Sequence, residues 1–105
     1  MFDYYFLGFI QLVIGLFFTF SPPKKPNDMY GYWGKAAKKS LDHWKAAHKT
    51  SGPLFILSGI SALISGYYFE SSALDYARSI NLFIGLGLGI LVIVITESKL
   101  KRISS

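Results

Sequence analysis

The sequence predicts an all-α membrane protein, with three transmembrane helices and a short amphipathic interfacial helix in the first loop. Three observations predict it. Across 105 residues the chain is 51% hydrophobic and 16% charged, with a mean hydropathy of +0.36. A soluble domain carries roughly a quarter charged residues. Residues 4–23, 50–69 and 79–96, runs of 20, 20 and 18 residues, contain no Asp, Glu, Lys or Arg. A helix needs about 20 mostly apolar residues to cross the hydrocarbon core. The cations are also unevenly placed: of 11 Lys and Arg, ten fall between the first two runs or after the third, and only Arg78 lies between the second and third. These features exclude a soluble globular enzyme, a coiled coil and a disordered tail. They suggest one transmembrane domain over 1–105, with spans near 3–21, 52–69 and 79–97.

The first span starts almost at Met1. The segment before it is acidic (Asp3), and Ser21-Pro22-Pro23 follows without a small-x-small cleavage pattern. An uncleaved anchor is therefore expected, not a signal peptide. Pro22, Pro23 and Pro26 stop the helix, because proline lacks an amide donor and restricts the residue before it. The loop 22–51 carries seven lysines. With three spans it shares a side with the tail, and the positive-inside rule makes both cytoplasmic, with the N-terminus outside. The location expected is the cell membrane, multi-pass. This orientation accounts for the net charge of +5, and nucleic acid is not expected as a partner.

Within the loop, residues 35–49 read as the interfacial helix. At 100° per residue, Trp33, Ala37, Leu41, Trp44 and His48 share one face, while Lys35, Lys38, Lys39, Lys45 and Lys49 lie opposite. Tryptophans against lysines suit a helix lying in the interface plane. The spans carry small residues that allow close approach of helices. Gly8, Gln11, Gly15 and Thr19 form such a row in the first, and Ser58, Ala62 and Gly66 in the second. Asn81, Gly85 and Gly89 form one in the third. Plain helix packing is the simpler reading. A polar cavity lined by Gln11, Ser61, Ser65 and Asn81 is the alternative, and would suit a small oligomeric transporter; a lipid-binding membrane protein is the other alternative function. No ionisable residue lies at mid-depth, which argues against proton coupling.

Catalytic patterns are thin. The chain has no cysteine, hence no disulfide, thiolate metal site or cysteine nucleophile. His43 and His48 are five apart, a poor spacing for two ligands on one helical face. Ser40, Asp42 and His43 are neighbours within one turn and do not face one another as a catalytic triad requires. The run from Gly85 to Gly89 lies inside an apolar span, without the strand–turn–helix context of a nucleotide loop. No cofactor or metal is expected. A membrane enzyme on lipid-linked substrates, with His43, His48 and Asp42 at headgroup level, is the weakest alternative.

The loop also carries a motif. Pro26-Asn27, Tyr30-Gly31-Tyr32, then Ser40, Asp42, Trp44, Ala47, His48 and Gly52 resemble the signature loop of the SdpI family. These are small bacterial membrane proteins named for an immunity protein against a secreted killing peptide. The resemblance covers about 45 residues, from the end of the first span into the second. It implies a non-enzymatic protein that binds, or protects against, a hydrophobic or amphipathic peptide. Where the family pattern has Arg-Thr, this chain has Trp33-Gly34, and Ala36 and Ala37 replace a basic residue and a serine. Either this chain takes another ligand, or Lys35 and Lys38 supply the charge in place of the bidentate arginine. Physically, Pro26 and Asn27 suit a turn, and Gly31 suits close approach or a positive φ. The aromatic rings suit headgroup depth. The ligand-binding residues expected are Asn27, Tyr30, Tyr32, Lys35, Lys38, Trp44 and His48. Helix packing is expected through Gly8, Gly15, Gly66, Gly85 and Gly89. Membrane lipids, a peptide or protein ligand and a second copy of the chain are the partners this reading allows.

Overall fold

The computed structural model describes residues 2–25, 31–32, 36–73 and 75–102. It is all-helical: α1 (Phe2–Phe20), a 3-10 turn (Ala36–Lys39), α2 (Leu41–Glu70) and α3 (Ala77–Lys101). Helix α1 ends where the sequence expects. The Ser21 amide closes the last turn on the Phe17 carbonyl at 2.8 Å, and Pro22 and Pro23 supply no donor to extend it.

The loop differs from expectation. Residues 36–49 do not form a separate interfacial helix. Ala36–Lys39 is a 3-10 turn, and the residues from Leu41 onward are the first turns of one 30-residue helix. Ser40 caps that helix, its hydroxyl accepting the His43 amide at 3.1 Å. Pro53 lies inside the helix without ending it. The expected amphipathic face is also rotated. Ala37, Trp44 and His48 are buried, but Leu41 is 47% exposed, and His43 and Ala47 are buried in its stead. Trp33 lies outside the described residues.

Two helices, α2 and α3, are long and apolar enough to cross a membrane, and Tyr4–Phe20 of α1 is a shorter apolar stretch. Their outward faces are apolar. Phe9, Leu57, Ile64, Phe83 and Ile90 are each at least 60% exposed. A continuous apolar exterior of this kind suits lipid and is costly in water.

The tightest seam joins α1 and α2. Gly8 and Gly15 on α1 and Gly52, Gly59 and Gly66 on α2 are each seven apart. A Cβ on Gly8 would stand 3.0 Å from the Gly59 carbonyl oxygen, and one on Gly15 would meet the Ile56 amide nitrogen. One on Gly59 would meet Leu12 backbone, and one on Gly66 the Tyr4 carbonyl. The antiparallel backbones thus touch at small residues along the whole pair. Gly85 and Gly89 face side chains instead, those of Leu7 and Gln11, at 3.1 and 3.2 Å, and Gly87 meets nothing within 4 Å among the described residues.

Several polar side chains bind helix to helix. Gln11 donates to the Gly85 carbonyl at 2.8 Å and accepts from the Ser58 hydroxyl at 2.6 Å. Asn81 donates to the Tyr4 carbonyl at 2.9 Å and accepts from Ser65 at 2.7 Å. At the end remote from the lysines, the Tyr5 hydroxyl donates to Glu70 at 2.8 Å. Gln11, Ser65 and Asn81 therefore hold the bundle together.

Candidate functional site

The best-packed region is the basic end. Phe18 of α1, Tyr32 and Ala37 of the loop, Trp44, Ala47 and Phe55 of α2, and Val92 and Leu100 of α3 form one core. Trp44 is wholly buried. Its indole Nε1–H donates to the Pro23 carbonyl at 2.8 Å, tying α2 to the exit of α1. Proline matters twice here. It ends α1, and its carbonyl is left available for a side chain.

Three consecutive hydrogen bonds organise this cap. The Tyr32 amide donates to His48 Nε2 at 2.9 Å, and His48 Nδ1 bonds the Trp44 carbonyl at 2.8 Å. An acceptor at Nε2 requires the hydrogen on Nδ1, so the two bonds fix a neutral tautomer. The Tyr32 hydroxyl then donates to Glu97 Oε2 at 2.9 Å, 65 residues away on α3. Burial and the Glu97 carboxylate both raise the pKa of the Tyr32 phenol, so it stays a donor. Phe18 and Trp44 pack on the His48 ring, with centroids 4.7 and 4.6 Å away.

Gly31 makes the crossing possible. Its φ is +123°, and a Cβ there would lie 2.8 Å from His48 Nε2 and 2.9 Å from the Trp44 ring. Both the positive φ and the close approach require glycine.

His48 lies in the first turns of α2, outside the apolar run 52–69. Burial lowers its pKa below 6.5, opposed in part by the Trp44 carbonyl. The unfolded chain therefore takes up a proton at a higher pH than the folded chain. The full contribution of His48 is present above about pH 6.5 and falls away as the pH drops below that value. Thermal midpoints in detergent should fall between pH 7.5 and 5.5, and His48→Gln should flatten that fall. An unchanged slope in the variant would place the titration elsewhere.

Of the residues expected to bind a ligand, the structure brings together Tyr32, Trp44 and His48. Lys38 is exposed on the 3-10 turn. Asn27, Tyr30 and Lys35 lie outside the described residues. Ser40 and His43 do meet, contrary to the expectation from their spacing: Ser40 Oγ is 2.6 Å from His43 Nδ1. The pair is built into the helix cap, however, and Asp42 is exposed. Among the described residues no three His, Asp or Glu side chains could hold a metal ion.

Two parts of the site are not apparent in the sequence. One is Glu97, which reads there as a helix-end charge. The other is a groove of about 600 Å³ between the end of α1 and the start of α2, bordered by Phe18, Pro22, Lys45, Lys49 and Pro53. Repetition of Leu41, Lys45, Lys49 and Pro53 at four-residue intervals is its available signal.

Comparison with known proteins agrees with the motif. The chain is 26% identical over 94 residues to YfhL of Bacillus subtilis (strain 168), itself described as uncharacterized, covering 90% of this chain and 82% of that protein. No solved structure matches it significantly. The family model of the SdpI/YfhL proteins matches residues 24–97, a stretch that opens at the lysines beside Pro23 and closes on Glu97. The chain belongs to the SdpI/YfhL protein family.

Proposed function

We propose that this chain is an SdpI-like integral membrane protein that binds a hydrophobic or amphipathic peptide at its basic cap and protects the cell against it, without chemistry of its own. It crosses the cell membrane three times, N-terminus outside and C-terminus cytoplasmic. The supporting observation is the Tyr32–Glu97 bond. It closes the loop onto α3 beside Trp44 and His48, inside the stretch matched by the family. Apolar walls with a few placed polar groups are what a small recognition site needs. The transporter alternative loses support because Gln11, Ser65 and Asn81 are bonded between helices.

The test is expression in a bacterium sensitive to a secreted killing peptide. The wild-type chain should raise survival, and Tyr32→Phe should reduce that protection. Losing a bond to a charged partner costs about 1.5–3 kcal/mol. Reporters fused after Arg102 and inserted at Ser72 should report opposite sides of the membrane. Absent protection from a correctly inserted chain would overturn the peptide reading.

A further inference from the structure

The groove abuts the cap, with Pro23 and His48 in both, and adds apolar walls and exposed cations that the buried cap lacks. It lies where the uncharged run of α1 ends, between the last turn of that helix and the first turns of α2. Phe18, Pro22 and Pro53 make its apolar walls, Lys49 and Lys45 border it one and two turns before Pro53, and Lys24 and Lys25 line it where the chain leaves α1. The hydroxyl of Thr19, on the same wall, is buried and has no hydrogen-bond partner among the described residues. Lys45 and Lys49 are both exposed. Apolar surface below and cations above reproduce the gradient of a lipid at the membrane boundary. A soluble anion would find the lysines but leave the apolar walls uncovered. A neutral lipid would cover the walls but leave the lysines without a counter-charge.

We propose that this groove binds one anionic phospholipid, its phosphate held by Lys45 and Lys49 and its glycerol and upper acyl chain against Phe18, Pro22 and Pro53. Basic pockets between membrane helices take acidic headgroups in this way, each lysine near the surface contributing about a fivefold gain in binding. The assignment does not rest on the peptide reading. The groove is filled from the bilayer, and its lipid would brace the α1–α2 junction next to the Trp44–Pro23 bond whether or not a peptide is recognised.

Native mass spectrometry of the full chain in detergent tests it. The protein is titrated with dioleoyl-phosphatidylglycerol, dioleoyl-phosphatidylcholine or inorganic phosphate. The expected result is a one-to-one phosphatidylglycerol adduct, with phosphatidylcholine at least tenfold weaker and phosphate unable to compete at equal concentration. Lys45→Gln with Lys49→Gln should weaken the adduct about thirtyfold. Lys39→Gln with Lys101→Gln removes the same charge away from the groove and should change it less than threefold. Equal retention of the two lipids, equal losses in the two double variants, or displacement by phosphate would each overturn the proposal. Preferential retention of an acidic amphipathic peptide over phosphatidylglycerol would assign the groove to peptide and overturn it as well.

Discussion

Gly59→Leu is expected to separate α1 from α2 and to cost roughly 3 kcal/mol or more of bundle stability. The reason is the identity of what the new side chain meets. A Cβ at position 59 would stand 2.5 Å from the Leu12 nitrogen and 2.7 Å from its Cα. Backbone on a packed helix cannot turn aside, so the helices must move apart along the seam. Separation would strain the Gln11–Ser58 bond, which bridges the same pair of helices. Gly87→Leu is the internal control. Among the described residues nothing lies within 4 Å of its Cβ position, and the change should stay within about 0.5 kcal/mol. Gly85→Leu should fall between them, because Leu7 presents a flexible side chain. Thermal unfolding in detergent, followed by helical signal and monodispersity, ranks the three. A Gly59→Leu midpoint equal to that of Gly87→Leu would show that the seam is not a close backbone contact.

The same seam shows how far the sequence carries the fold. Three helices are legible because an uncharged run long enough to span a bilayer is out of place in a small soluble domain. Gly8, Gly15 and Gly66 are legible as packing residues from their small-residue rows. Gly52 and Gly59 are not, because their importance depends on which helix lies opposite and in what register. The fusion of residues 41–49 with the second span is hidden by Gly52-Pro53, a pair that usually ends a helix. Here Ser40 provides a strong start, and proline removes only one amide from a helix held by packing on α1 and α3. At 100° per residue the buried face centres on Trp44, Ala47 and Ser51, with His43 and His48 at its edges, so Leu41 falls beyond it, in the first turn of the helix. The cap itself is half legible. Gly31, Tyr32, Trp44 and His48 stand out by residue type, but Glu97 is 65 residues from Tyr32 and no local pattern links them. The groove needs the exit angle of α1, which no periodicity encodes.

Trp44→Ala should cost about 3–5 kcal/mol, the range for removing a buried aromatic, with the loss concentrated at the basic end. Three contacts go together: the packed indole surface, the ring contact with His48, and the Nε1–H bond to the Pro23 carbonyl. The His48 bond to the Trp44 carbonyl is a backbone contact and is not deleted by the change. Trp44→Phe separates the contributions. It keeps most of the apolar contact and loses only the bond to Pro23, so it should cost nearer ~1 kcal/mol. The Gly-lined seam of α1 and α2 does not touch the indole, so both variants should insert and keep their helical content. Limited proteolysis of the 21–40 loop, compared with the thermal midpoint, distinguishes cap opening from global unfolding. In Trp44→Ala the loop should be cut faster well below the midpoint. Loop protection equal to wild type would mean that Tyr32–Glu97 and Gly31 alone hold the cap closed, and the indole would then be a space-filling residue with no part in shaping a recognition surface.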